Sequence, residues 1–90
     1  TATRLKLIQA PAGYGKPGDT STIDAQLGFR YLTIVVKDST PALARIEKAG
    51  IKLVGKSPVA LPAALAKGVY LTVVRDPDGN MVELVGPKSE

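Results

Sequence analysis

The chain has 90 residues, 44% of them hydrophobic, and 12 lysines and arginines against 8 acids give a net charge of +4. This is enough for one domain burying roughly 60–65% of its unfolded surface, and no apolar run approaches the ~20 residues of a membrane span. Cysteine and histidine are both absent, which excludes disulfides, thiolate nucleophiles and imidazole bases or ligands, so any catalysis within the chain runs on carboxylates, lysines, tyrosines or hydroxyls.

The basic residues are scattered from Arg4 to Lys88 without a run or a helical stripe. Four aromatic residues, Tyr14, Phe29, Tyr31 and Tyr70, are too few for the stacking platforms that single-stranded nucleic-acid binders add to a basic groove. Neither nucleic acid nor a membrane is the expected partner, and a mild preference for anionic small molecules is the better use of the charge. No charged-then-apolar leader opens the sequence, so a cytoplasmic protein is expected.

Residues 3–9 alternate well enough to predict a short strand. Residues 10–27 contain Pro11, Gly13, Gly15, Pro17 and Gly18 and read as a linker between two units rather than a loop inside one. The Gly13-Tyr14-Gly15-Lys16 text is no phosphate-binding loop, because neither a Ser or Thr nor a helix follows the lysine. Residues 28–37 are β-branched and aromatic and form the strongest strand, with Tyr31, Thr33 and Val35 on one face and Leu32, Ile34 and Val36 on the other. Asp38-Ser39-Thr40-Pro41 is a helix start, a capping side chain before a first-turn proline. The helix is predicted over about 41–49 with Leu43, Ile46 and Ala49 inward, and Gly50 supplies its left-handed stop.

A second strand is predicted over 51–56, then a loop or one helical turn over 57–67. Residues 68–85 read as a hairpin around Asp76-Pro77-Asp78-Gly79-Asn80. Pro77 presets φ at the first corner, Asp78 is expected to bond back to the backbone, and Gly79 takes the positive φ. Residues 87–90 are a tail. Glu83 is a lone acid between Val82 and Leu84 and needs water, a partner charge, a ligand or a metal.

One helix covers only one face of such a sheet. Leu32, Ile34, Val36, Val82 and Leu84 are expected beneath it, with Val69, Leu71 and Val73 alongside. The other face then carries Tyr31, Thr33, Val35, Met81, Glu83 and Val85, joined by Tyr70, Thr72 and Val74. A mixed concave face of this kind suits a ligand cavity, closed by a second layer from another module or subunit.

The strand Gly28 to Lys37 with Asp38, the helix ending Lys48-Ala49-Gly50, and Arg75-Asp76-Pro77-Asp78-Gly79-Asn80-Met81-Val82-Glu83-Leu84 together resemble one α+β βαβββ module of the vicinal oxygen chelate superfamily. That group includes glyoxalase I, extradiol dioxygenases, methylmalonyl-CoA epimerase, and fosfomycin and bleomycin resistance proteins. The likeness covers residues 28–86. It implies that two modules pair into a cup and that a metal is held by the first and last strands, here at Tyr31 and Glu83. Glu83 matches the family's metal-binding glutamate, but Tyr31 stands where a histidine or glutamine is usual, and a phenol protonated near pKa ~10 is a poor ligand. Leu5-Lys6-Leu7-Ile8 also lines up with Val82-Glu83-Leu84-Val85, so residues 1–9 resemble the closing strand of a preceding module, with a lysine at the counterpart of Glu83.

For Glu83 three roles stay open: a ligand anchor, a general base, or half of a charge pair with Lys6. Tyr31 and Tyr70 read as ligand-stacking walls or as sheet filler, Asp76 and Asp78 as turn formers, and Arg75 as a solvated strand end. The expectation is a cofactor-free binder of a small organic molecule, lined by Tyr31, Thr33, Tyr70, Met81 and Val85 and oriented by Glu83 and Lys6, acting as a homodimer or with a second module. The alternatives are a metal-dependent, glyoxalase-like lyase, isomerase or dioxygenase in which Glu83 is catalytic and another module completes the ligand set, and a structural module that has lost its site.

Overall fold

The computed structural model describes residues 3–13 and 15–89. Residues 1 and 2, which precede the first predicted strand, Tyr14 of the linker and Glu90 of the tail lie outside the described residues. Six elements follow in order: β1 (Tyr31–Val35), α1 (Ser39–Lys48), β2 (Val59–Ala60), α2 (Ala63–Ala66), β3 (Val69–Arg75) and β4 (Met81–Pro87). They build one mixed sheet ordered β1-β4-β3-β2, with β1 parallel to β4 and the other pairs antiparallel.

The helix starts where its cap dictates. Asp38 is extended, and its carboxylate accepts a hydrogen bond from the Thr40 amide at 2.9 Å, pairing one of the orphan donors of the first turn. The same carboxylate accepts from the Ser89 amide at 3.1 Å. Thr40 Oγ1 donates to Ser89 O at 2.9 Å, and Ser39 Oγ to Gly86 O at 3.0 Å. The helix N-terminus is therefore stitched to the end of β4. Its buried side chains are Ser39, Ala42 and Ile46; Leu43 is half-buried and Ala49 exposed, so Ala42 takes the inward place predicted for Ala49. The chain just after β1 packs tightly on β4 at Gly86, where an added Cβ would run into Val36 O and Val36 Cγ2.

Register decides which strand residues the helix covers. Leu32 pairs with Val82 and Ile34 with Leu84, while Leu84 pairs with Thr72, Val82 with Val74, and Gly86 with Tyr70. Paired residues in a ladder share a face. Thr72 is only 2% exposed, which places its face under α1. Tyr70, Thr72 and Val74 therefore lie on the helix side and Leu71 and Val73 on the open side, the reverse of the sequence expectation.

Two predicted strands are also corrected. Residues 3–9 form no strand among the described residues; alternation makes a strand only where another backbone offers a ladder. Residues 51–56 contribute one bridge, Leu53 to Val74, and a 2.8 Å bond from Val54 N to Val73 O. The Ser57 hydroxyl then accepts from Val73 N at 3.0 Å, occupying a ladder position with a side chain. Regular pairing resumes only at Val59 and Ala60, opposite Leu71 and Tyr70.

Candidate functional site

The open sheet face is built in rows across the strands. The first row is Tyr31, Met81 and Arg75; the second is Thr33, Glu83 and Val73; the third is Val35, Val85 and Leu71. Val59 extends the third row on β2. Met81, Val85, Leu71 and Val73 are half-buried, whereas Tyr31 is 50% and Val35 80% exposed. No second layer covers this face among the described residues.

Glu83 sits in the middle row, half-buried, with apolar neighbours along its own strand. Its carboxylate Oε1 accepts a hydrogen bond from Thr33 Oγ1 at 3.2 Å. Lys6, the partner considered from sequence, lies on the exposed segment before residue 10; the hydroxyl of Thr33 holds the acid instead. Tyr31, Thr33, Met81, Glu83 and Val85 are thus brought onto one face as expected. Tyr70 is not. It lies opposite Gly86 on the other face, with the Lys88 ammonium 5.7 Å from its ring centroid. At the Tyr31 end, a groove of about 330 Å³ is lined by Leu5, Leu7, Phe29, Tyr31 and Met81 among others.

The turn that presents β4 is organised by Asp76, not Asp78. Asp76 Oδ1 accepts from the amides of Asp78 at 3.0 Å and Asn80 at 2.7 Å, and Oδ2 accepts from Asn80 Nδ2 at 3.1 Å. Backbone bonds from Asp76 N to Asn80 O at 2.8 Å and from Gly79 N to Asp76 O at 2.9 Å close the loop, and Gly79 adopts φ +88°. Arg75 is part-buried rather than a solvated strand end. It donates to Gly79 O and Thr20 O, both at 2.7 Å.

The donor set does not by itself suit the divalent ion that the resemblance implies. Such a site needs several converging oxygen or nitrogen donors. Beside Glu83 stand a neutral hydroxyl at Thr33 and, one row away, the phenol of Tyr31. Among the described residues no three acidic, histidine or cysteine side chains converge.

No protein-family model matches the sequence, and no curated protein matches it. A solved structure does: the crystal structure of a glyoxalase family protein from Bacillus cereus superposes with a TM-score of 0.56 at 23% identity, covering 78% of this chain and 43% of that one. The fold is accordingly α+β and glyoxalase-like, and this chain spans less than half the length of that neighbour. Among the described residues no helix is long and apolar enough to cross a membrane.

Proposed function

We propose that this chain is one half of a two-module cup that binds a small organic molecule on the open sheet face, without a metal. The observation that carries the reading is a half-buried carboxylate, Glu83, set among apolar side chains on a face with no covering layer among the described residues. Such a surface combines apolar area with a single orienting polar group, the usual make-up of a ligand site. Tyr31, Met81 and Val85 form the walls, and Glu83 with Thr33 orients a donor on the ligand. A second module covers the face, either another copy of this chain or a unit joined through residues 10–27. The matched glyoxalase family protein, more than twice the length of this chain's share of it, supports that arrangement.

A small-molecule library followed by two-dimensional amide NMR tests the reading. Shifts clustered on Thr33, Met81, Glu83 and Val85 are expected, and shifts confined to the helix side would sink it. Metal analysis runs alongside. A stoichiometric divalent ion that disappears in Glu83→Ala would replace the metal-free reading with the glyoxalase-like enzyme.

A further inference from the structure

Arg30 immediately precedes β1, and Arg75 is the last residue of β3. Tyr31 and Arg75 both pair with Met81. The register therefore brings both guanidinium groups to the same end of the sheet, on the strands flanking β4. Both reach onto one stretch of the connector. Arg75 donates through Nη1 to Thr20 O at 2.7 Å and through Nη2 to Ser21 O at 3.4 Å, while the same Nη1 holds Gly79 O of the turn. Arg30 donates through Nε to Ile23 O at 3.1 Å, through Nη2 to Thr22 O at 3.2 Å and to Asp19 O, and through Nη1 to Gln26 Oε1 at 3.3 Å.

The connector is shaped to receive these donors. The Asp19 carboxylate accepts from Ser21 N at 3.0 Å and from Ser21 Oγ, and Thr22 Oγ1 donates to Asp24 Oδ1 at 2.7 Å. Ala25 N bonds to Thr22 O at 3.3 Å. These local turns present successive carbonyls outward, where a planar guanidinium with five donors collects them. Each such bond is charge-assisted and stronger than a neutral pair.

We propose that residues 19–26 are a fixed strap, latched to the turn end of the sheet by Arg75 and Arg30, and not a flexible tether. Arg75 joins strap and turn through one guanidinium, so the turn that positions Glu83 and the chain that enters β1 move as one body. The strap bounds the open face at its Tyr31–Met81–Arg75 end and fixes the direction from which the preceding chain reaches β1. The inference stands whether or not the face binds a ligand.

A cross-link tests it directly. The ideal Cβ position at Gly79 lies 3.9 Å from Thr20 Cβ, inside the ~3.5–4.5 Å range of disulfides, and the chain has no cysteine of its own. Thr20→Cys with Gly79→Cys should oxidise to a single intramolecular disulfide, and adding Arg75→Met, which keeps the aliphatic stem and removes the donors, should slow closure at least about tenfold. Equal closure rates with and without Arg75→Met overturn the latch. Because cysteine at the positive φ of Gly79 strains the turn, a second measurement uses no cysteine. In Arg75→Met and Arg30→Met, amide exchange at Ser21 and Ala25 should accelerate about tenfold, while exchange in β3 and β4 stays at the parent rate. Unchanged exchange at Ser21 and Ala25 overturns the proposal independently.

Discussion

Thr33 Oγ1 donates to Glu83 Oε1 at 3.2 Å across the parallel β1–β4 pair, joining the first strand of the module to the last through side chains as well as backbone. A double-mutant cycle of Thr33→Val and Glu83→Ala, read by urea unfolding, should give a coupling of about 0.5–1.5 kcal/mol. A coupling of zero would mean that the acid is oriented by something other than Thr33.

Asp76 and Asp78 flank one proline and look interchangeable in the sequence, yet only Asp76 accepts three hydrogen bonds inside the turn. Asp76→Ala should cost about 1–3 kcal/mol in chemical denaturation. Asp78→Ala should stay within about 0.5 kcal/mol of the parent. The reverse order would contradict the turn geometry.

Thr72 is buried under α1, and its hydroxyl has no hydrogen-bond partner among the described residues. Valine has nearly the same shape without the stranded polar group. Thr72→Val should therefore raise stability by about 1–2 kcal/mol, seen as a higher denaturant midpoint at an unchanged slope. A loss of stability would show that the hydroxyl is satisfied.

At Gly86 the obstacle is backbone. A methyl group there meets the Val36 carbonyl, and carbonyls in a ladder do not step aside cheaply. Gly86→Ala is expected to destabilise by about 1–3 kcal/mol, and a thermal melt matching the parent would refute the close approach of β1 and β4.

The carboxyl of Asp38 is held below its ordinary value of 3.8, first by the side-chain hydrogen bond with Ser89 and then by the backbone amides of Thr40 and Ser89. A depressed folded-state pKa stabilises the fold above the unfolded value and ceases to do so as pH falls through the folded value. The cap thus contributes fully at neutral pH and is lost progressively as pH falls below 3.8 and through the lower folded value. Asp38→Asn keeps an acceptor but cannot titrate. Thermal melts from neutral pH downward should show a flatter acid limb for the variant than for the parent.

The helix is legible because Asp38 caps its start and Gly50 follows its end, although it begins at Ser39, two residues before the predicted 41, with Pro41 inside its first turn; the hairpin is legible because Pro77 and Gly79 define its corners. Alternation alone places Glu83 on the open face, since β1 and β4 carry a polar group on one parity. The run from Val69 to Val74 is different. Apart from Thr72 it is apolar or aromatic on both parities, so its phase follows from the Arg75–Met81 pairing, which no local pattern reveals. The roles of Arg75 and Arg30 are hidden in the sequence for a related reason. An arginine at a strand end looks solvated until the chain it binds, here some 55 and 7 to 11 residues away in sequence, is folded beside it. The one available hint was that Arg75 directly precedes the turn.

Because β1 and β4 run parallel, the chain enters this sheet at one end and leaves at the other. The seven residues of β4 span about 23 Å at ~3.3 Å per residue. Two successive units of this topology set side by side with their strands parallel would require the chain between them to double back over that distance. Residues 19–26 are spoken for by the latch, which leaves residues 10–18, an extended reach of about 30 Å. The slack is about 7 Å. In that parallel tandem arrangement the placement of the two sheets would be limited by this short run of glycine and proline, and shortening it by three or four residues would leave it unable to span the distance.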